Sequence, residues 1–390
     1  MTPRLEAAPR RHAPIRLRAS APPPEPAPTG PSLAARPASP AALHPPSLAT
    51  MVRRALAPAR PPAVLAALLC AGWALLALPA AAATPCERSA RQARKACGFD
   101  ARDDFWESKA ICTHIGDADD RADCLADAGE ERDETEAECQ EIYEFRLDYC
   151  EASGEDRYDP DFRGANFNGV FDDTNPYWLL TPGHEWVLES EDETVVVRVL
   201  PATKRVGGVD CIVVNDVVSE DGELIEDTDD WFAIANNGDV WYCGENAKDY
   251  EYFRGDAPQE AELVSIDGSF KHGVEGAKAG IVMFGAPAVG QIYRQEFSLA
   301  NAEDGAEVLS TTYSFGDGGG LDRRVPQELA ELFCDGDCVV TREFNLNEPG
   351  VEARKYYAPG VGVFLEVEGR EVVRLVGCNM DPRCDELEEL

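Results

Sequence analysis

The chain has 390 residues, with 72 Asp and Glu but only 36 Lys and Arg, and its formal net charge at pH 7 is −36. A protein of this charge repels nucleic acid and anionic lipid and attracts cations, which excludes nucleic-acid binding and favours a small molecule or a cation as partner. Adaptation to salty surroundings and specific divalent-cation sites would both account for the excess of acid.

The first 83 residues differ in composition from the rest. Residues 1–50 are rich in Pro, Ala and Arg and poor in acidic and large apolar residues, so we interpret them as a disordered leader, which is untranslated if Met51 is the true start. From Met51 a basic, an apolar and a small-residue region follow one another, and this order predicts a secretory signal peptide over 51–83. The apolar region is short for a membrane span. We therefore expect an exported protein, periplasmic or extracellular, without a transmembrane segment once the signal is removed.

Twelve of the 13 cysteines follow this signal, and their even number predicts a disulfide framework made in an oxidising compartment. The first six are separated by 10, 14, 11, 14 and 10 residues, a spacing that reads the same in both directions. Steps of this size keep cysteines on one stripe of a helix. We therefore predict a stapled antiparallel helical hairpin over 84–157. The expected bonds are Cys86–Cys150, Cys97–Cys139 and Cys112–Cys124.

From residue 158 the apolar period changes to two, which is the period of a strand. Short runs rich in β-branched and aromatic residues are bounded by Gly, Pro, Asn and Asp, and no long helices alternate with them. The predicted fold class is therefore α+β: a disulfide-stapled antiparallel helical hairpin, then a mainly antiparallel, curved β-sheet or half-barrel over 158–378. Residues 379–390 form an acidic tail.

Turn signals at 221–222 and 237–238 predict three consecutive antiparallel strands, 211–219, 223–235 and 240–243. Cys211 and Cys243 would then lie on strands about 10 Å apart, too far for an unstrained disulfide. Their pairing is left open, and bonds across two short loops are favoured instead. These are Cys334–Cys338 and Cys378–Cys384.

Common catalytic signatures are missing from residues 84–390: there is no G-x-S-x-G, no H-E-x-x-H, no Walker loop and no dinucleotide fingerprint. The weak candidates for catalysis are Arg294, Glu296 and His272, of which the first two would share one face of a strand. Glu303 and Asp304 are further acids that an acid-base enzyme could use.

Asp216 shares its side of the predicted strand with three aliphatic residues, and a carboxylate in such a place needs a partner such as Arg198, Arg294 or Lys355. A structural ion pair and a polar cluster lining a pocket both fit this pattern. We expect a ligand to contact Asp216 and nearby aromatic residues, namely Trp231, Trp241, Tyr293 and Tyr356. Weak candidates for binding a metal ion, for which calcium is considered, are Asp227, Asp230, Glu303 and Asp304.

Several stretches together resemble a family of exported bacterial proteins whose β domain has no assigned function. They include NPYWLLTPG at 175–183, DGELIEDTDDW at 221–231 and KYYAPGVG at 355–362. The resemblance covers most of 158–376, and a six-cysteine helical module often precedes this domain. It implies secretion and a β scaffold but no known reaction. The last stretch is also similar to the end of other exported β-sheet domains that curve around a ligand or a lipid.

The hypothesis that best fits these patterns is an exported, non-enzymatic binding protein that holds a small ligand or a divalent cation on a curved β scaffold. One alternative is an acid-base hydrolase that uses clustered carboxylates. The other alternative is a structural, cation-coated envelope or matrix protein.

Overall fold

The computed structural model describes residues 82–316 and 319–389, so the predicted leader and signal peptide lie outside the described residues. Two long helices come first, α1 (Pro85–Cys112) and α2 (Ala118–Ser153). Thr84 and Glu87 form a capping box at the start of α1. Gly154, with φ 65°, ends α2 in the left-handed conformation that glycine adopts most readily.

Three disulfides cross the helical hairpin. They are Cys86–Cys150, Cys97–Cys139 and Cys112–Cys124, the nested pairs that the cysteine spacing favours. Few apolar side chains of these helices are buried besides the cysteines themselves. Covalent links therefore supply much of what a larger apolar core would otherwise provide.

In the described part of the chain, fifteen strands and one short α-helix follow. The strands are β1 (Glu185–Glu189), β2 (Glu193–Val206), β3 (Val209–Glu220), β4 (Glu223–Ile234), β5 (Val240–Asn246), β6 (Asp249–Glu251), β7 (Glu262–Ser265), β8 (Lys278–Met283), β9 (Ile292–Arg294), β10 (Glu296–Phe297), β11 (Asp304–Tyr313), β12 (Cys338–Asn345), β13 (Glu352–Ala358), β14 (Gly362–Glu368) and β15 (Glu371–Cys378). The helix α3 (Gln327–Phe333) lies between β11 and β12.

The strands form one antiparallel sheet in the order β10-β8-β5-β4-β3-β2-β1-β15-β14-β13-β12-β11-β9, with β6 and β7 beside β4. The two ends of this order, β9 and β10, are consecutive in the chain, and only Gln295 separates them. At one end β9 pairs with β11, and at the other end β10 pairs with β8. The sheet is therefore nearly closed and barrel-like, and the predicted α+β fold class is confirmed. Alternate side chains point into its interior.

The expectation that Cys211 and Cys243 lie too far apart to bond is wrong, because they form a disulfide with Cα atoms 6.7 Å apart. Trp231 pairs with Gly244 and Phe232 with Tyr242, so Cys243 is the extra residue of a β-bulge. A bulge bends its strand and increases the local twist. Here it accompanies a Cα separation that is within the range of ordinary disulfides.

The C-terminal segment packs on the sheet. Residues 379–390 were expected to form an acidic tail, but Pro382–Glu389 form a 3₁₀ helix in which Cys384 and Leu387 are buried. The Cys378–Cys384 disulfide fixes this helix to β15, and Cys334–Cys338 closes the loop after α3. No helix in the described part of the chain is long and apolar enough to cross a membrane.

Candidate functional site

The inner face of the sheet encloses a cavity of about 500 Å³. This volume is within the range of pockets that bind small organic molecules. One wall is apolar because alternate residues of β2 and β3 are valines that point inward. Its main residues are Leu188, Val195, Val197, Val199, Val214, Val218, Val363 and Val373, on β1, β2, β3, β14 and β15.

The lining of the cavity is also acidic. Nine of the residues that line the cavity are Asp or Glu, whereas one, Lys355, is a cation. Three of these acids mark the opening, where Glu368 and Glu371 are exposed and Glu193 is half-buried. The other six lie deeper and come from six different strands. They are Asp216, Asp230, Glu296, Asp304, Glu343 and Glu366.

Lys355 lies between two of the deep acids. Its ammonium nitrogen is 3.1 Å from Glu343 and 3.6 Å from Glu366, its direct cross-strand partner on β14. Glu343 also accepts hydrogen bonds from the hydroxyls of Tyr357 (2.8 Å) and Thr341 (2.9 Å). Burial opposes the charge of Glu343, but Lys355 and these hydrogen bonds hold the pKa of Glu343 below its usual value. The Lys355–Glu343 pair is therefore charged.

A second group of acids surrounds the hydroxyl of Tyr242. This hydroxyl is within hydrogen-bond distance of both Asp230 and Glu245, 3.0 Å from the latter. One hydroxyl proton cannot serve both carboxylates. Burial, together with neighbouring carboxylates, raises the pKa of Asp230 well above its usual value and that of Glu245 to about 8. Phe232 stacks on Tyr242 with ring centroids 4.7 Å apart, so an aromatic face adjoins this group.

Two further acids of the cavity each have an oxygen without a partner. Oδ1 of Asp216 and Oδ1 of Asp304 are buried, and neither has a hydrogen-bond partner in the structure. Burial raises the pKa of Asp216 to about 7, with a further contribution from Glu226, and raises that of Asp304 to about 6. Lys355 lowers both values. An unsatisfied buried oxygen costs about 1–3 kcal/mol, which a bound donor would recover.

The structure separates the three catalytic candidates. Glu296 lines the cavity, whereas Arg294 lies on the other side of the sheet with its guanidinium 4.6 Å from the ring of Tyr149 in α2. The prediction that Arg294 and Glu296 share a face is wrong, because the chain changes partner strand at Gln295 and both Gln295 and Glu296 line the cavity. His272 is also outside the cavity, where its Nδ1 accepts the Ala279 N–H at 3.0 Å.

Of the five residues expected to contact a ligand, only Asp216 lines the cavity. Trp231 belongs to an apolar cluster on the outer face, against which Trp241 packs. Tyr293 is buried with its hydroxyl 3.4 Å from the Val282 carbonyl, and Tyr356 donates to the Leu321 carbonyl. None of these four aromatic residues lines the cavity.

Sequence reasoning missed the aromatic residues on the inner face. Asp216 pairs with Thr228 across β3 and β4, so the even-numbered residues of β4 face inward, among them Asp230 and Phe232. Extending the face of Asp216 across the predicted hairpin would have selected Phe232 rather than Trp231.

The four metal candidates lie in three different environments. Asp227 is paired with Lys248 at 2.8 Å, and Glu303 is buried against Arg146. Asp230 and Asp304 line the cavity. Within residues 82–316 and 319–389, no group of three or more His, Cys, Asp or Glu side chains has an arrangement that could hold a metal ion.

Comparisons of the chain with protein-family models, with curated proteins and with solved structures find no match. The resemblance to an exported β-domain family therefore stays a prediction. The fold and the cavity define an α+β protein whose nearly closed antiparallel sheet contains a cavity lined by apolar and acidic residues.

Proposed function

We propose that this chain is an exported binding protein that holds a small molecule inside its barrel-like sheet. The observation that carries the proposal is the cavity of about 500 Å³, whose lining combines a continuous valine-rich wall with buried polar groups. Apolar surface gives a ligand most of its binding free energy, and a few fixed polar groups orient it. The unpartnered oxygens of Asp216 and Asp304 are such groups.

Six disulfides support the export part of the proposal. Disulfides persist in the periplasm and outside the cell, whereas the reducing cytosol removes them from most proteins. The secretory signal predicted over 51–83 leads to the same compartments.

An acid-base hydrolase is the second candidate, and one observation favours it. Asp304 has a pKa raised to about 6 and Glu296 a pKa raised well above its usual value, and both line the cavity. Carboxyls of this kind can serve as general acids near neutral pH. The two functions differ in outcome, since a binding protein returns its ligand unchanged whereas a hydrolase returns two products.

Native mass spectrometry of the secreted protein tests whether a small molecule is bound. We expect a mass above that of the chain alone. The added mass should disappear on denaturation but survive treatment with a chelator. Extraction of the protein should recover one unchanged compound. Protein that carries only chelator-sensitive metal would contradict the proposal. Recovery of two products from one added compound would favour the hydrolase.

A pair of substitutions on β2 tests whether the cavity is the site. Val197→Phe places a larger side chain in the cavity, whereas Val196 is the neighbouring residue and does not line it. With the neutral fluorescent probe N-phenyl-1-naphthylamine, we expect Val197→Phe to weaken binding at least about tenfold and Val196→Phe to leave it within about twofold. Melting temperatures of both variants show that each is folded. Equal binding by the two variants would contradict a ligand site inside the sheet.

A further inference from the structure

The deep part of the cavity has more carboxyls than cations. Lys355 forms ion pairs with Glu343 and Glu366. Within the described part of the chain, the remaining four deep acids have no ion pair with a Lys, Arg or His side chain. They are Asp216, Asp230, Glu296 and Asp304.

These four acids come from β3, β4, β10 and β11, strands that lie on both sides of the point where the sheet closes. Burial raises the pKa of Glu296 and of Asp230 most, and the acids add to this effect: the charge of Asp304 raises the pKa of Glu296, and the charge of Asp216 raises that of Asp230. Carboxyls in such a cluster stay partly protonated without a counter-ion. An ammonium ion among them would allow them to ionise.

The unpartnered oxygens are a second reason to expect an ammonium ion in the cavity. Oδ1 of Asp216 and Oδ1 of Asp304 are buried acceptors without a donor. An ionised carboxylate accepts hydrogen bonds and donates none, so each of these oxygens needs a donor when its carboxyl is ionised. A protonated amine offers up to three donors together with the positive charge that the cluster lacks.

The rest of the lining indicates what the amine is attached to. Val195, Val197 and Val373 belong to the apolar wall of the same cavity. Burying a hydrocarbon group there gains roughly 25 cal/mol per Å² of apolar surface, whereas a fully hydrated metal ion or a polyhydroxylated molecule would gain nothing from it. Phe232 stacks on Tyr242 beside Asp230, and aromatic faces also attract cations.

We propose that the ligand of the cavity is an organic ammonium ion with an apolar body, whose charged end lies among Asp216, Asp230, Glu296 and Asp304 and whose hydrocarbon part contacts the valine wall. This inference rests on the proposed function. The exposed acids at the opening, Glu368 and Glu371, add an attraction for cations that approach from solvent.

A series of three matched compounds tests the ligand class: heptylamine, 1-heptanol and heptanoate, which share one chain and differ in the end group. Each is titrated into the secreted protein at pH 7.5 by isothermal calorimetry and by displacement of N-phenyl-1-naphthylamine. We expect heptylammonium to bind at least about tenfold more tightly than heptanol, and heptanoate to bind least, because a buried ion pair favours only the first. Binding should release protons, so that the measured heat changes with the ionisation enthalpy of the buffer.

Variants locate the charged end of the ligand. Asp216→Asn combined with Asp304→Asn should weaken heptylammonium binding about tenfold or more while leaving heptanol binding within about threefold. Asp210→Asn is the matched control, because Asp210 is an exposed residue of the same strand as Asp216 and pairs with Arg205. This control should bind all three compounds as the unmodified protein does.

The outcomes separate the two proposals. Heptanol or heptanoate binding as tightly as heptylammonium would overturn the ammonium inference and leave the binding function standing. Equal weakening of the binding of all three compounds by the double Asn variant would also overturn the ammonium inference alone. Failure of the three compounds and of the neutral probe to bind would overturn both.

Discussion

The ammonium nitrogen of Lys355 lies 3.1 Å from the carboxylate of Glu343 inside the sheet. Lys355 is the one cation among the residues that line the cavity, and its charge also acts on Asp216 and Asp304. Glu343 is ionised because of this lysine and its hydrogen bonds, whereas the neighbouring acids have raised pKa values. The ionisation of the acids in the cavity therefore depends on Lys355.

Removal of that charge by Lys355→Met should destabilise the protein by about 3–5 kcal/mol at pH 8, because Glu343 would remain buried without a counter-ion. At pH 5 we expect a smaller loss, since protonation can neutralise the uncompensated carboxyls. Urea unfolding at both pH values measures the effect. The control is Arg198→Met, which removes a largely exposed ion pair with Glu185 and should cost about 0–1 kcal/mol. A loss equal to that of the control would contradict the assigned role of Lys355.

The raised pKa of Asp216 should make the free energy of unfolding depend on pH. Its pKa is raised from 3.8 to about 7, mainly by burial and then by Glu226, although Lys355 lowers it. The folded state therefore binds more protons than the unfolded state between these values, so the contribution of Asp216 to stability is present at low pH and is lost as the pH rises through about 7. Glu366 also faces Asp216 and raises its pKa further.

Asp216→Asn removes this titration. Each pH unit between the folded and unfolded pKa values is worth about 1.4 kcal/mol, so the variant should gain roughly 2–4 kcal/mol relative to the unmodified protein between pH 4 and pH 8. Thermal and urea unfolding without added ligand, repeated across this range, measure the difference. Asp210→Asn is again the control, because its carboxylate is exposed and paired with Arg205. Parallel stability curves for Asp216→Asn and the unmodified protein would show that this group does not titrate abnormally.

The fold could be predicted from the sequence because its signals are local. The cysteine spacing within 86–150 depends on the geometry of two helices, and the strands are marked by a period of two and by turn residues. The order of the sheet depends instead on pairing between distant parts of the chain, such as β1 with β15, and its closure depends on a change of partner strand at Gln295. The bulge at Cys243 likewise depends on the match between two strands, and its one local signal is the adjoining Gly244 within the strand.

The site was predicted only in part. Asp216 was selected as a ligand contact because it stands among aliphatic residues on one strand. Glu296, Asp230 and Asp304 were candidates for catalysis or metal binding, and Glu343 and Glu366 were not selected, because in a chain with 72 acidic residues each resembles an ordinary surface acid. Trp231 and Trp241 were expected to contact a ligand as aromatic residues near acids, but β4 and β5 direct Phe232 and Tyr242 inward. Side-chain type alone does not identify the inner face of a strand.

A buried ion pair connects the helical hairpin to the sheet. The guanidinium of Arg146 in α2 contacts both carboxylate oxygens of Glu303, which precedes β11, and donates to Asn347 at 2.8 Å. Arg146 is 4% exposed and Glu303 is fully buried. Arg294 lies 3.6 Å from the same carboxylate and also pairs with Glu155. The acid Glu303, considered above for metal binding, thus has two cations beside it.

Arg146→Met should therefore destabilise the protein by about 3–5 kcal/mol, because Glu303 loses its bidentate partner in a buried place. Urea unfolding measures the loss, and limited proteolysis should show earlier cleavage of the helical hairpin. Arg102→Met is the control, since Arg102 forms an exposed pair with Glu136 and should contribute about 0–1 kcal/mol. Similar stability of the two variants would argue against Glu303 depending on Arg146.

The Cys211–Cys243 disulfide should contribute more to stability than Cys334–Cys338, because it closes a longer loop. The separations are 32 and 4 residues, and loop-closure entropy then predicts losses of about 4 and about 2 kcal/mol when each pair is replaced by alanine. Urea unfolding of the two double variants under oxidising conditions measures the difference.

Cys211 and Cys243 are also fully buried, so neither thiol of a reduced pair would react before unfolding. Two free thiols in the denatured, unreduced protein would show that this bond does not form, and a larger loss for the Cys334–Cys338 pair would contradict the entropic argument.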